Sequence, residues 1–277
     1  MKKAEWFYDE RFWGEFAPIM FDRKHWEEVD LAADAVTRMA HLNLYEEAPS
    51  EKTESDMKRG FTRKAAADGE RPRLLDLCCG FGRMSLEFAR RGFAVTGVDI
   101  TKTYLAAGRE DAAAEGLEIE FVEEDIRRFR RNEGFDLAVN LYNSFGYFED
   151  PAGDRIFVKN VYDSLIDGGT FIIDVLGKEI AVRDYTEAEW FEKAGCIVLT
   201  EYEPVDSWGS IWNRWILIKN TERIEKVFIQ RLYAASELRS LLLGAGFELV
   251  EIYGHWDESP YDTQARSLIA VARKKKV

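Results

Sequence analysis

The sequence is short of cysteine, histidine and cationic charge, and it has no long apolar run. Its cysteines are Cys78, Cys79 and Cys196, two adjacent and one remote. That is neither a disulfide framework nor a metal-ligand spacing, so no metal is expected, and a reduced, cytoplasmic chain is the economical reading. The histidines are His25, His41 and His255. His25 and His41 fall on a helical stretch in charged surroundings and read as solvated. His255, in "YGHWDESPYD", follows a strand and is kept as an acid/base candidate. No apolar stretch reaches the roughly 20 residues of a membrane helix. "LIAVA" (Leu268 to Ala272) is strand-sized, and "MKKAEWFYDE" has no apolar segment behind its lysines, so no membrane partner or signal peptide is expected. Lys and Arg number 38 against 51 Asp and Glu, a formal net charge of −13. Such a surface repels phosphate backbones, so nucleic acid is not expected as a partner. The closing "RKKKV" reads as a solvated tail.

What is present is enough for a full core. The 277 residues are 46% hydrophobic and 13% aromatic, which suits one large α/β domain or a domain with an insertion. Residues 1–45 read as helical, with Trp6, Phe7, Tyr8, Phe12, Trp13 and Phe16 crowded together and a second helix from Arg23 to Leu44. Residues 46–71 are charged and aperiodic and read as a loop or a frayed extension. From Arg73 strands are expected at 73–77, 93–98, 118–123, 135–141 and 169–175. Helices are expected between them at 82–91, 102–115 and 153–166. That alternation implies a parallel sheet with helices on both faces. After Leu176 come three long strand-like runs, "GCIVLTEYEP", "SIWNRWILIKN" and "IEKVFIQRLY", which read as an antiparallel meander. A helix, "ASELRSLLLGAGF", and two strands, "FELVEIYG" and "RSLIAVAR", finish the chain.

The stretch "DLCCGFGRMS" (Asp76 to Ser85) is a strand end, a small-residue turn and a helix start. A dinucleotide fingerprint needs G-x-G-x-x-G; Gly80 and Gly82 fit, but Ser85 stands at the third position. Asp76, inside the strand end, is an odd neighbour for a pyrophosphate and a good one for a cationic amino acid. The pattern resembles the first motif of class I S-adenosylmethionine-dependent methyltransferases, carried here by Asp76, Cys78, Gly80 and Gly82. Cys78 replaces the family's first glycine. The order of the later motifs is also similar. The resemblance implies a Rossmann-like, seven-stranded α/β sheet, mostly parallel with the last strand antiparallel, carrying an inserted antiparallel β-sheet. It further implies S-adenosylmethionine as cofactor and S-adenosylhomocysteine as product. Asp99, followed by Ile100, would take the ribose hydroxyls. Asp125 would take the adenine amino group and the Ile126 backbone N–H the ring, and Asn140 ends the strand that runs into the reaction site. A non-catalytic binder of the same cofactor, or an NAD-dependent oxidoreductase, stays open as an alternative.

Methyl transfer from a sulfonium is an in-line displacement, so the protein mainly aligns the partners and excludes water. "NSFGYF" (Asn143 to Phe148) is similar to the turn of small-molecule N-methyltransferases such as the glycine and nucleotide-aminosugar enzymes. This implies a small-molecule acceptor methylated at N or O, with Asn143 and Tyr147 as catalytic candidates and Tyr142 as a substrate contact. On "KVFIQRLY", Val227, Ile229, Arg231 and Tyr233 share one face by period two, making Arg231 and Tyr233 further substrate candidates. The expected division is 1–72 as N-terminal helices and charged loop, 73–176 with 234–277 as the cofactor-binding core, and 177–233 as the insertion. The insertion's tryptophans, Trp190, Trp208, Trp212 and Trp215, suit an acceptor lid or a homodimer face.

Overall fold

Seven strands whose apolar residues fall on both faces make the central sheet of this computed structural model, which describes residues 5–21, 26–41, 45–47, 61–63 and 71–276. Ahead of the sheet lie α1 (Glu10–Met20), α2 (Val29–Met39) and a short antiparallel pair, β1 (Tyr45–Glu47) with β2 (Phe61–Arg63). The alternating part is β3 (Arg73–Leu77), α3 (Arg83–Arg90), β4 (Ala94–Asp99), α4 (Lys102–Ala114), β5 (Ile119–Glu123), β6 (Phe135–Asn140), α5 (Pro151–Ser164) and β7 (Leu165–Val175). Then come α6 (Lys178–Arg183), β8 (Ala188–Lys193), β9 (Cys196–Val205), β10 (Ser210–Lys219) and β11 (Glu222–Arg231). The chain closes with α7 (Ala235–Ala245), β12 (Leu249–Tyr253) and β13 (Leu268–Arg273).

The sheet order is β12-β13-β7-β6-β3-β4-β5, with β13 antiparallel to both neighbours and the strands from β7 to β5 parallel. Alternation along each strand feeds two cores. Leu75, Leu77, Ala138 and Ile173 pack with α5 and α7 on one face. Leu74, Leu137, Val139 and Ile172 pack with α2 and α3 on the other. The chain leaves β3 toward β4 and β5 and returns on the opposite side as β6. The ends of β3 and β6 therefore flank a topological switch point, where open α/β sheets leave a crevice.

Local chemistry sets the helix ends around that crevice. The Asp150 side chain accepts from Ala152 N at 2.8 Å and Pro151 opens α5. Gly246, at φ 119°, stops α7 in the left-handed conformation. The second sheet, ordered β11-β10-β9-β8, is antiparallel throughout. It packs on α1, with Phe12, Phe16 and Ile19 against Val198, Leu217 and Ile224.

Several expectations are corrected. The 46–71 segment contains the β1–β2 pairing, and among the described residues the second helix spans only Val29–Met39. The meander gains a fourth strand, β8, whose alternating "AEWFEK" is mostly exposed and so carries little apolar signal. The six-residue α6 was also unforeseen, being too short to show a period.

Candidate active site

One cavity of about 990 Å³ runs from the switch point to the underside of the antiparallel sheet. Asp76, Cys78, Gly80, Asp99, Ile100, Asp125 and Ile126 line one end; Phe228, Gln230, Asn213 and Trp215 line the other, and Tyr142, Asn143 and Tyr147 lie between. The sequence-predicted residues of the motif end thus meet in one place. Gly82 and Asn140 stand just behind the lining. Gly82 precedes α3 at φ 76°, and a Cβ there would come within 2.7 Å of the Phe121 ring. Asn140 is fully buried, donates to Leu77 O at 3.0 Å, and leaves its Oδ1 without a partner among the described residues.

Cys78 has φ 57°, a left-handed conformation that explains why a glycine suits this position. Ser85, at the position where a dinucleotide fold would use glycine, is fully buried and donates from Oγ to Asp76 Oδ2 at 2.6 Å. Burial pushes the Asp76 carboxyl up to about 7, against the opposing pull of Ser85 and the Arg83 charge. Asp99 accepts from Gly80 N at 2.9 Å and from Thr101 N at 2.8 Å, which ties the glycine turn to the end of β4. Burial raises its pKa too, with those backbone donors working the other way. Burial also works to raise Asp125, but the Arg127 fork and the Tyr8 hydroxyl outweigh it and the pKa falls. Tyr8 Oη donates to Asp125 Oδ2 at 2.8 Å, and Arg127 meets the same carboxylate at 2.6 Å and 3.0 Å. The N-terminal aromatic segment therefore reaches over this end of the cavity. Trp13 lines it as well, and Tyr104 Oη donates to Trp13 O at 2.6 Å.

Three buried carboxylates around one glycine turn fit a cationic nucleoside and oppose a pyrophosphate. The carboxylate set therefore suits S-adenosylmethionine, whose α-ammonium and sulfonium are both positively charged.

The turn after β6 is strained and heavily tied. Tyr142 and Asn143 take φ 58° and 60°, a conformation that costs roughly 1–2 kcal/mol each for a non-glycine residue. Buried Asp174 holds it by accepting from Tyr142 N at 3.0 Å through its side chain and from Asn143 N at 3.1 Å through its carbonyl. Asn143 Oδ1 accepts from Leu176 N at 3.0 Å and from Gln230 Nε2 at 2.9 Å. The Tyr147 ring stands 5.4 Å from Trp6 and 5.9 Å from Phe228. Burial, then the nearby Cys78, raises its pKa, so the phenol stays protonated. Tyr142 is pushed up to about 12 by burial, with the Arg83 guanidinium stacked 3.7 Å over its ring centroid.

Three candidates do not line this cavity. Arg231 pairs with Asp154 at 2.5 Å, and Tyr233 Oη donates to the same carboxylate at 2.7 Å. The reason is the register of β11: Val227 and Ile229 are 44% and 51% exposed, so their face points outward while Phe228 and Gln230 face the cavity. His255 also stays outside the lining; it sits near Asp174, whose carboxyl burial raises, with Ser267, the Tyr142 N–H and His255 pulling the other way. His41 is exposed, and His25 lies outside the described residues. Of the insertion tryptophans only Trp215 lines the cavity, and Trp190 is 67% exposed. Gln230, Asp174 and Arg83 are the participants that sequence reasoning passed over. Gln230 shares a face with Ile224 and Phe228, but nothing in the sequence marks that face of β11 as the inward one.

Comparison with known proteins bears directly on this geometry. Residues 74–169 match a family profile described as a methyltransferase domain. A protein of Geobacillus sp. (strain WCH70), provisionally named a methyltransferase, is 26% identical over 83% of this chain and 95% of its own. A solved S-adenosylmethionine-dependent methyltransferase from Clostridium acetobutylicum superposes with TM-score 0.69 at 15% identity, covering 96% of this chain and 97% of that one. The S-adenosylmethionine-bound amino pentose methyltransferase CalS10 from Micromonospora echinaspora gives TM-score 0.62 at 18% identity, over 96% and 97%. With the motif order, the sheet order and the acid-lined crevice in agreement, residues 74–169 carry a methyltransferase domain, and the chain has the fold of solved S-adenosylmethionine-dependent methyltransferases.

Proposed function

We propose that the enzyme methylates a nitrogen of a small molecule held beneath the antiparallel sheet. The observation that carries this reading is the make-up of the acceptor end of the cavity. It is walled by Trp6, Trp215, Phe191 and Phe228 and furnished with the neutral amides Asn143, Asn213 and Gln230; no histidine is among its described lining residues, and its carboxylates Asp184 and Glu189 are exposed, Asp184 being paired with Arg183. The phenols of Tyr147, Tyr142 and Tyr202 all have raised pKa values, chiefly from burial, and so are poor bases. A hydroxyl acceptor needs a base, whereas a neutral amine brings its own lone pair. A sugar N-methyltransferase from Streptoalloteichus sp. shares the fold with TM-score 0.62, which agrees with nitrogen as the target.

S-adenosylmethionine supplies an electrophilic methyl group on a good leaving group. The chain's part is to bind, align and exclude water. In this reading Asp76 meets the ammonium of the amino-acid portion, Cys78, Gly80 and Gly82 let the backbone approach, and Asp99 with Ile100 takes the ribose. Asp125 and the Ile126 N–H serve the adenine, and Asn140, with its unpartnered Oδ1, backs the same end. Tyr8 and Arg127 already fill the Asp125 carboxylate, so one of them yields when adenine enters. Asn143 and Tyr147 align the acceptor. Residues 177–233 serve as its cover, since β9, β10 and β11 all contribute lining residues.

A panel of small amines and matched phenols, read by release of S-adenosylhomocysteine and by mass spectrometry of the product, tests this directly. N-methylated products support it. O-methylated products, or turnover of phenols alone, overturn it.

A further inference from the structure

Gln230 is only 5% exposed, points inward from β11 and lines the cavity beside Asn143. Its Nε2 donates to Asn143 Oδ1 at 2.9 Å and to Phe145 O at 3.3 Å. Both partners are acceptors, so the Gln230 amide has one orientation, and its Oε1 has no hydrogen bond to a described residue. Asn143 is fixed in the same way. Its Oδ1 accepts from the Leu176 backbone N–H, which can only donate, and from Gln230. The Asn143 Nδ2 group is left over in turn, with no hydrogen bond to a described residue. The turn that carries Asn143 abuts the glycine turn, Cys78 Sγ lying 3.8 Å from Ser144 O.

We propose that Gln230 binds the methyl acceptor and, together with the Leu176 N–H, fixes the polarity of Asn143. The two carboxamides then present a neutral donor–acceptor pair that takes a vicinal amino alcohol. The assignment rests on the nitrogen-acceptor function proposed above. Gln230 Oε1 accepts an N–H of the neutral amine, which turns the nitrogen lone pair away from that carbonyl and leaves it free for the methyl carbon. As the C–N bond forms, the C–S bond breaks and its electron pair stays on sulfur; the extra proton leaves nitrogen to water afterwards. Asn143 Nδ2 donates to the neighbouring hydroxyl oxygen. A carboxylate in that place would face the Gln230 carbonyl and be repelled.

The test uses the enzyme loaded with S-adenosylhomocysteine and two probes, 2-aminocyclohexanol and cyclohexylamine, titrated by calorimetry. Wild type is expected to bind the amino alcohol roughly tenfold more tightly, the worth of about one hydrogen bond. Gln230→Leu removes the pair. Asn143→Asp keeps every hydrogen bond described for the Asn143 side chain and replaces only the free donor, so it covers the case in which Gln230→Leu folds poorly. Both variants are expected to lose the preference while S-adenosylhomocysteine affinity stays within about twofold. A merely structural role would lower Tm and cofactor affinity together and leave the preference intact. Absence of binding or of preference in wild type, or its survival in both variants, overturns the assignment. The nitrogen-acceptor reading fails separately, if wild type prefers the amino alcohol but methylates its oxygen.

Discussion

Replacing Asp76 by Asn separates what this carboxylate costs the fold from what it gives the cofactor. Asp76 is 3% exposed, and burial lifts its pKa from 3.8 to about 7. A raised carboxyl pKa means that the folded protein holds the proton more tightly than the unfolded chain. Ligand-free stability is therefore full below the unfolded value, falls as pH rises toward about 7 and stays low above it. At 1.36 kcal/mol per unit the full penalty is about 4 kcal/mol, an upper limit because water and side chains relax around the charge. Asn keeps the acceptor for Ser85 and cannot ionise. Ligand-free Asp76→Asn should melt about 3–10 °C above wild type at pH 8 and level with it at pH 4.5. Cofactor binding should move the other way. Wild-type affinity for S-adenosylhomocysteine should rise about tenfold per pH unit up to pH 7 and then level off, because the ammonium needs the carboxylate. The variant should bind about 10–100-fold more weakly at pH 8, with little pH dependence. Scanning calorimetry and titration calorimetry across pH 5–9 read both effects. A variant no more stable than wild type at pH 8, together with a flat wild-type binding profile, refutes the reasoning.

Three other substitutions address separate parts of the site. Asp99→Ala should weaken S-adenosylmethionine and S-adenosylhomocysteine alike, by roughly 10–100-fold in calorimetry, since the two share a ribose and a charge-assisted contact is worth about 1.5–3 kcal/mol. Unequal losses would place Asp99 at the sulfur instead. Tyr147→Phe should lower kcat while cofactor Kd stays near wild type, because the ring sits between Trp6 and Phe228 on the acceptor side. An equal loss of cofactor binding would assign the tyrosine to the adenosine site. Gly82→Ala should cost about 1–3 kcal/mol in denaturant unfolding, combining a left-handed φ of 76° with a Cβ pressed against the Phe121 ring. Wild-type stability in that variant would show that the turn before α3 can adjust.

The parts of the molecule that the sequence displays are those governed by short-range rules. Strands β3 to β7 and their helices could be read because apolar runs and turn glycines recur in order, with an acid near the ends of β3, β4, β5 and β7. The Asp76–Gly82 turn was legible because few residues tolerate φ near 60°, and Cys78 stands out as one that bears it. The face of β11 could not be read with confidence from period two alone. Val227 and Ile229 look as core-like as Phe228, and only the neighbouring sheet and α1 decide which set is inside. Arg231 looked free for a substrate because its partner, Asp154, lies 77 residues away on α5. Gln230 went unnoticed for the same reason: its meaning comes from Asn143 and Phe145, which long-range folding brings within hydrogen-bond reach. Distant partners leave no local pattern.

The central claim is that a methyl group passes from S-adenosylmethionine to the nitrogen of a small molecule in the cavity between Asp76 and Gln230. The most direct measurement supplies the enzyme with S-adenosylmethionine carrying a ¹³C methyl group and a panel of small amines, amino alcohols and phenols. The labelled carbon is then followed by NMR. The account predicts a new N-methyl resonance on an amine or amino alcohol, formed one for one with S-adenosylhomocysteine. A label that arrives on oxygen, or never leaves the cofactor across the panel, contradicts it.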